Sequence, residues 1–334
     1  MIIEEVIDFE NHIQPKFTEK VYDRSISILK DKQNKNKGIS LTELRKSMEK
    51  ATIDLSTTYI KEKYELIDTD EGKIEIGIFS CESTESDDKK PVCLFIHGGG
   101  FVGGNFNQYK NQCKLITEKT NAIVVALNYH LSPESFYPVA LNDCISVYDW
   151  LIDNVESLSG NMKDFYILAD SAGVSLGLGM CKSKKIQVKK FFNFYGCIDL
   201  SPESNSLYKW SIDKYPIIEN HYELLVRKLN KFSNNMNFFK SCYLQNNEDM
   251  QDPLISYVFE KDLENTPEMV YFEAEFDYFK LSNRYLCNKL MQYQDVTVFS
   301  YKGLDHGFFE HLGYYPEAED AINKVSRIIN ETKN

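Results

Sequence analysis

The chain has 334 residues, a formal net charge of -12 and a hydrophobic fraction of 43%. An acidic protein repels a polyanion, so this charge excludes nucleic acid as the main partner. The longest apolar runs, such as residues 122–127, are strand-sized and far below the roughly 20 residues that a membrane-spanning helix needs. We therefore expect a globular protein without a membrane span that binds a small or neutral ligand.

The start of the sequence and the cysteines bear on the cellular compartment. The first eight residues are acidic and no long apolar region follows them, which is unlike a secretory signal peptide. Cys93, Cys144 and Cys287 fall inside apolar strand or helix patterns, and no two of the eight cysteines have C-x-x-C spacing. We expect a cytoplasmic protein with reduced core thiols and no metal ion.

Residues 1–55 have a helical pattern and precede the first predicted strand. The apolar positions on one face are Ile2, Ile3, Val6 and Ile7. Further along, Ser40 and Glu43 have the spacing of a capping box, which predicts a helix that starts at Ser40. The segment forms either a cap over a site or a helical arm that packs elsewhere, and the sequence favours neither.

Strand and helix patterns alternate in residues 56–200 and again in residues 253–334, which predicts an α/β core with a mostly parallel sheet. The predicted strands are 59–66 and 74–79, which form a hairpin, then 92–96, 122–127, 165–168, 191–195, 269–274 and 296–301. Residues 201–252 interrupt the alternation with a helical stretch rich in aromatic residues. We interpret this stretch as a helical cap insertion and residues 1–55 as an N-terminal helical cap segment.

Residues 165–174 read Phe-Tyr-Ile-Leu-Ala-Asp-Ser-Ala-Gly-Val, a strand that runs into a turn of small residues. This is typical of a nucleophile elbow, in which a serine is held on a strained strand-to-helix turn. The residues two before and two after the serine must be small, and Ala169 and Gly173 occupy these positions. The alternative is that Ser171 merely caps a helix.

The other groups needed for a serine nucleophile follow predicted strands. Residues 97–100 read His-Gly-Gly-Gly after strand 92–96, where free backbone N–H groups could bind an oxyanion, although a simple glycine turn is the alternative. Asp277 follows strand 269–274 and His306 follows strand 296–301, which is the order Ser, Asp, His of α/β hydrolases. Nearby rivals are Glu275 and Asp305 for the acid and His311 for the base.

From about residue 90 to residue 310, the sequence resembles the hormone-sensitive-lipase-like family of α/β-hydrolase-fold esterases. Five motifs carry the resemblance: His-Gly-Gly-Gly-Phe at 97–101, Asn-Tyr-His-Leu-Ser-Pro-Glu at 128–134, the elbow at 169–174, Ala-Glu-Phe-Asp at 274–277 and His-Gly-Phe at 306–308. This chain departs from the family motifs at His130, where arginine is usual, at Tyr278, where proline is usual, and at Ala169 and Val174, where glycines are usual.

The resemblance implies a role for each matching residue. Ser171 is expected to be the nucleophile, His306 the general base and acid, and Asp277 the residue that orients the imidazole. The oxyanion hole is expected to consist of the backbone N–H groups of Gly99, Gly100 and Ala172. His97 is expected to be structural, and no cofactor is expected.

These expectations predict that the protein is a serine carboxylic-ester hydrolase that acts through an acyl-enzyme. The aromatic side chains of the two cap segments predict a closed pocket and short acyl chains of about two to six carbons. One alternative is a binding protein on the same fold without turnover, and another is an amidase or deacetylase. A homodimer is a further expectation.

Overall fold

The computed structural model describes residues 1–32, 40–50, 52–82, 89–245 and 248–333. Within these ranges, nine strands form one sheet in the order β1-β9-β8-β7-β6-β4-β5-β3-β2. The strands are β1 (Ile2–Ile7), β2 (Ile60–Thr69), β3 (Gly72–Cys81), β4 (Lys90–Ile96), β5 (Ile123–Leu127), β6 (Gly160–Asp170), β7 (Lys190–Phe194), β8 (Met269–Ala274) and β9 (Val296–Tyr301).

The sheet is parallel except at β3, which pairs antiparallel with both β2 and β5. The β2–β3 hairpin turns at residues 70–71, as the polar Asp-Glu-Gly sequence predicts. Parallel strands need buried surfaces on both sides, and the strands β4 to β9 are almost entirely buried. The predicted fold, a mostly parallel sheet flanked by helices, is confirmed.

Eight helices accompany the sheet in the described residues. They are α1 (Glu19–Lys32), α2 (Leu41–Met48), α3 (Lys110–Thr120), α4 (Val139–Asn154), α5 (Ala172–Lys184), α6 (Glu219–Tyr243), α7 (Lys280–Leu290) and α8 (Pro316–Thr332). The apolar faces of α3 and α8 cover one side of the sheet, and those of α4, α5 and α7 cover the other. None of the helices described in the chain is long and apolar enough to cross a membrane.

The helical prediction is wrong for the first residues of the chain. Ile2–Ile7 form strand β1, which pairs in parallel with β9 at one edge of the sheet. The four β-branched apolar residues of this stretch favour a strand as much as a helix, and a six-residue run is too short for its periodicity to decide. The unpaired edge of β9 favours the strand over the helix, and β9 lies almost 300 residues further along the chain.

The capping box predicted at Ser40 is confirmed. The hydroxyl of Ser40 accepts a hydrogen bond from the N–H of Glu43, and the carboxylate of Glu43 accepts one from the N–H of Ser40, at 3.2 and 2.9 Å. These two bonds satisfy backbone donors that the first turn of α2 leaves free. The start of α2 could therefore be predicted from Ser40 and Glu43 alone.

Candidate active site

The turn after β6 holds Ser171 in an unusual backbone conformation. Its φ and ψ are 48° and -117°, in a region that residues with a side chain rarely occupy. The N–H of Ser171 donates to the carbonyl oxygen of Phe194 at 3.0 Å, and helix α5 begins at the next residue. A Cβ atom on Gly173 would lie 2.2 Å from the carbonyl oxygen of Ile96, so only glycine fits there. Together these features form the predicted elbow.

The two departures at the elbow are accommodated by neighbouring residues. Ala169 is a fully buried residue of β6, in register with Ile96 on one side and Asn193 on the other. Val174 faces Gly196, where an added Cβ atom would lie 2.6 Å from a Val174 methyl group. The side chain of Val174, where the family motif has glycine, therefore fills the space that Gly196 leaves open by having no side chain.

The structure brings Ser171, His306 and Asp277 together at the carboxyl ends of β6, β9 and β8. The Nε2 atom of His306 lies 2.9 Å from Oγ of Ser171, and its Nδ1 atom lies 2.8 Å from Oδ1 of Asp277. A carboxylate can only accept, so Nδ1 carries the proton and leaves Nε2 free to accept from the Ser171 hydroxyl. Asp277 is fully buried, Ser171 is 7% exposed and the side chain of His306 is 18% exposed, so the bond to Asp277 is the more shielded of the two.

The charge of His306 is controlled by its surroundings. Burial alone would lower the pKa of His306, but nearby carboxylates, foremost that of Asp277 on Nδ1, together outweigh burial and raise it. Three aromatic rings stand edge-on or tilted to the imidazole, those of Tyr195, Phe232 and Phe279, at centroid distances of 4.8, 4.7 and 5.5 Å. The rings fix the plane of the imidazole and keep its environment apolar.

The rival acids form bonds elsewhere. The carboxylate of Glu275 accepts from Nζ of Lys302 at 3.0 Å and from the N–H of Gly303 at 2.9 Å. Asp305 accepts from Arg24 and Lys228 instead of from the neighbouring imidazole. Of the three acidic candidates, Asp277 is the one that bonds to His306.

The rival histidines also have other partners. His311 accepts a hydrogen bond from Arg24, and burial followed by the Arg24 charge lowers its pKa to about 3. His97 is buried, its Nδ1 donates to the carbonyl oxygen of Gly98 at 2.7 Å, and its ring stacks on Tyr129. Burial lowers the pKa of His97 to about 4, so this ring stays neutral.

The glycine loop, defined here as residues 97–104, passes beside Ser171. Gly99 has a φ of +119°, and a Cβ atom on it would lie 2.1 Å from the carbonyl oxygen of Gly103. The tight turn therefore requires glycine. Among the described residues, the N–H groups of Gly99 and Gly100 donate to no other group, so they are available to a ligand. Ala172, at the first position of α5, adds a third N–H and the positive end of a helix dipole.

The loop that carries Asp277 is held by residues of the insertion. The hydroxyl of Tyr215 donates to the carbonyl oxygens of Asp277 and Tyr278 at 3.0 and 3.2 Å. The indole N–H of Trp210 donates to the same carbonyl of Tyr278, whose own hydroxyl donates to Glu203. The tyrosine that stands in place of the usual proline thereby links the acid to the insertion.

A cavity of about 390 Å³ opens above Ser171. Its walls come from the glycine loop, from α1 and α2 of the N-terminal segment, and from α6 of the insertion. The side chains that line it from these helices are Arg24, Ile28, Ser47, Met48, Lys231, Phe232, Asn235, Met236 and Phe239. Cavities of this size are typical of small-molecule sites.

Two acidic residues near Ser171 were not among the sequence-predicted site residues. Glu310 lines the cavity four residues after His306, and burial raises the pKa of its carboxyl group. Asp170 precedes the nucleophile, accepts from the N–H of Gly98 and the hydroxyl of Tyr109, and has a pKa raised to about 8 by burial and by Glu310. Asp170 stands inside the elbow motif and Glu310 close to the His-Gly-Phe motif, so proximity to a motif was the available signal.

Comparison with known proteins places this geometry in a family. A family profile described as the alpha/beta hydrolase fold matches residues 93–310, well over half of the chain. The chain belongs to this family. The resemblance to hormone-sensitive-lipase-like esterases is thereby confirmed. This α/β hydrolase is similar to an acetyl esterase of Salmonella typhi, with 25% identity over 270 residues that cover 78% of the chain and 77% of the relative.

Solved structures agree on the fold. An esterase of Pyrobaculum calidifontis superposes with a TM-score of 0.77 at 20% identity, over 94% of this α/β hydrolase and 98% of that chain. Carboxyl esterase 2 of the fungus Tuber melanosporum superposes with a TM-score of 0.76 at 19% identity, over 96% and 100%. These superpositions cover 94% and 96% of the chain, so the similarity in fold extends beyond residues 93–310.

Proposed function

We propose that this α/β hydrolase is a serine carboxylic-ester hydrolase with Ser171, His306 and Asp277 as its catalytic triad. The observation that carries the proposal is the position of the His306 ring, with one nitrogen 2.9 Å from Ser171 and the other 2.8 Å from Asp277. Family membership and the esterase relatives support a hydrolase of the carboxylesterase type. A chain of nucleophile, base and orienting acid is what acyl transfer requires.

In the proposed mechanism, Oγ of Ser171 attacks the ester carbonyl carbon while Nε2 of His306 takes the hydroxyl proton. The Asp277 carboxylate stabilises the imidazolium that forms. The N–H groups of Gly99, Gly100 and Ala172 bind the oxyanion of the tetrahedral intermediate.

Collapse of this intermediate breaks the bond to the alcohol, and His306 gives its proton to the departing alcohol oxygen. An acyl-enzyme on Ser171 remains. Water, deprotonated by the neutral imidazole, then attacks the acyl carbonyl. The imidazolium returns this proton to Oγ of Ser171 as the bond between Oγ and the acyl carbon breaks, which releases the carboxylic acid and restores Ser171. The chemistry needs no group beyond these side chains and N–H donors.

Short acyl chains, about two to six carbons long, are the proposed substrates. Three bulky side chains of α6, Phe232, Met236 and Phe239, line the same cavity as Ser171, and in this proposal they limit the length of the acyl chain. The acetyl esterase relatives support the same size class. In this proposal, helices α1 and α2 of the N-terminal segment and helix α6 of the insertion act as the cap that closes the site.

The test is labelling with a fluorophosphonate probe, combined with hydrolysis of p-nitrophenyl acetate and a matched anilide. We expect wild type to be labelled at Ser171 and to prefer the ester, and Ser171→Ala to be unlabelled. Absence of labelling would favour the binding protein without turnover, whereas faster cleavage of the anilide would favour the amidase. Either result contradicts the proposal.

Two further expectations remain proposals. A cytoplasmic location is supported by the cysteines, because all eight have free thiols and seven are buried. The homodimer can be tested by light scattering of the purified protein.

A further inference from the structure

The glycine loop lies between two helices of the cap. From one side, α2 approaches so closely that a Cβ atom on Gly103 would lie 2.6 Å from Sδ of Met48. From the other side, α6 approaches Gly100, where a Cβ atom would lie 2.7 Å from the ring of Phe239. Two glycines without side chains therefore let both helices touch the backbone of the loop.

Arg45 of α2 joins this loop to a second segment of the core. Its Nε donates to the carbonyl oxygen of Val102 at 2.6 Å, and its Nη2 donates to the carbonyl oxygen of Ser132 at 3.1 Å. Its Nη1 and Nη2 also donate to the two carboxylate oxygens of Glu134 at 2.9 and 2.6 Å. The planar guanidinium thus connects α2, the glycine loop and residues 128–134 in one contact.

His130 bonds to α4 and, among the described hydrogen bonds, not to the glycine loop. The backbone N–H and Nδ1 of His130 both bond to the carboxylate of Asp143 on α4, at 2.8 and 2.9 Å. The related motif usually has arginine at this position, whereas in this chain the guanidinium that contacts the glycine loop comes from α2.

A short path leads from Arg45 to the proposed oxyanion hole. Arg45 holds the carbonyl of Val102, and the N–H groups of Val102 and Gly103 both donate to the carbonyl oxygen of Gly99, at 3.2 and 3.0 Å. The carbonyl of Gly99 and the N–H of Gly100 belong to the same rigid peptide plane. Fixing that carbonyl therefore fixes the direction in which the N–H of Gly100 points.

We infer that Arg45 is a positioning residue that aligns the Gly100 N–H with the oxyanion formed during ester hydrolysis. This inference rests on the proposed function. Arg45 acts through the backbone of Val102 and Gly99 and touches no reacting atom. The side chains of Arg45 and Glu134 are 28% and 59% exposed, so their ion pair contributes little to folding stability. In this inference, the contacts of Arg45 control the alignment of the glycine loop.

The decisive variant is Arg45→Met, which keeps an unbranched stem beside the loop and removes all donors. We expect kcat for p-nitrophenyl butyrate to fall about tenfold or more, with KM changed less than about twofold, because a small displacement of a catalytic group slows the reaction without weakening substrate binding. The inhibition constant of a trifluoromethyl ketone should rise by the factor by which kcat/KM falls. Its hemiketal oxyanion uses the same N–H donors.

Graded and matched variants accompany it. Arg45→Lys should recover only part of the rate, because an ammonium cannot hold two carbonyls and a carboxylate in fixed geometry. Glu134→Gln should lose less than Arg45→Met, because both carbonyl bonds of Arg45 remain. Arg227→Met is the control: Arg227 on α6 pairs only with Glu223 among the described contacts, on an exposed surface, and its loss should leave kcat unchanged.

Three results would overturn the inference. In the first, Arg45→Met keeps kcat and ketone affinity within about twofold of wild type. In the second, its loss of rate disappears after division by the number of sites titrated with the fluorophosphonate, which would assign the loss to unfolded protein. In the third, wild type neither hydrolyses short esters nor reacts with the fluorophosphonate, so that the proposed function fails and the inference fails with it.

Discussion

Arg24 of α1 forms an ion pair with Asp305, the residue directly before His306, in which one guanidinium nitrogen contacts both carboxylate oxygens. Its Nη2 atom lies 2.9 and 2.8 Å from the two carboxylate oxygens, and Nζ of Lys228 on α6 lies 2.6 Å from one of them. The loop that carries the proposed base is therefore tied to both α1 and α6. Desolvation would raise the pKa of Asp305, but Arg24 and Lys228 reverse this and lower it well below its usual value.

We expect Asp305→Asn to lower the free energy of unfolding by about 2 kcal/mol at pH 7, because two partly buried cations lose their counter-charge. The depressed pKa of Asp305 places this stabilisation above the ordinary aspartate pKa of about 3.9 and removes it as pH falls toward the folded pKa. The difference between wild type and variant should therefore shrink below about pH 4. Urea unfolding of both proteins at pH 7, 4 and 3 measures this difference in the free energy of unfolding.

The control for this prediction is Glu156→Gln. Glu156 pairs with Lys89, and their side chains are 77% and 48% exposed, so its loss should cost less than about 0.5 kcal/mol. An Asp305→Asn protein as stable as Glu156→Gln at pH 7 would mean that the tie between α1 and the base loop adds no stability.

Ser171→Ala and His306→Ala should each lower ester hydrolysis roughly a thousandfold or more, by similar factors, because nucleophile and base act as one unit. Initial rates with p-nitrophenyl butyrate measure the loss, and circular dichroism confirms that the variants fold. His311→Ala serves as the matched variant for the base and should retain most of kcat. If instead His311→Ala is inactive and His306→Ala is active, the assignment of the base is wrong.

Asp277→Asn should lower kcat roughly a thousandfold, because the amide no longer selects the imidazole tautomer that accepts from Ser171. It should also shift the pH profile. A general base works in its neutral form, so kcat/KM falls as pH drops through the pKa of His306. In wild type Asp277 raises this pKa against burial, so without the carboxylate the acid limb should move to lower pH.

Glu275→Gln is the matched variant for the acid. Glu275 bonds to Lys302 and to the N–H of Gly303 and does not contact the imidazole among the described hydrogen bonds. Its substitution should leave the acid limb of kcat/KM in place. Loss of activity in Glu275→Gln with a nearly silent Asp277→Asn would move the acid to position 275.

Met236→Ala should extend the acyl-chain preference, because Met236 is a nearly buried side chain of α6 that lines the cavity. We expect the ratio of kcat/KM for the octanoate ester to that for the butanoate ester to rise about fivefold or more. A series of soluble p-nitrophenyl esters measures it. Phe238→Ala is the control, since Phe238 is 43% exposed and outside the cavity lining. A wild-type optimum at ten carbons or beyond would exclude the short-chain proposal.

The sequence by itself determined the fold, the elbow and the order of the three candidate catalytic residues. These features depend on local chemistry: the alternating apolar runs that form strands, a turn that only Gly173 permits, a loop that needs a positive φ at Gly99 and the capping box at Ser40. Each can be recognised within a window of about ten residues or fewer.

Only the tertiary structure decided how the described part of the first 50 residues contributes to the sheet and to the candidate site. Ile2–Ile7 form a strand because β9 offers an unpaired edge, and Arg24 and Arg45 reach a base loop and a glycine loop that lie 281 and 57 residues further along the chain. A charged side chain on a helix carries no local sign of the partner that it will bind. The partner is set by which loops the folded sheet brings beneath that helix, and this depends on the packing of the whole chain.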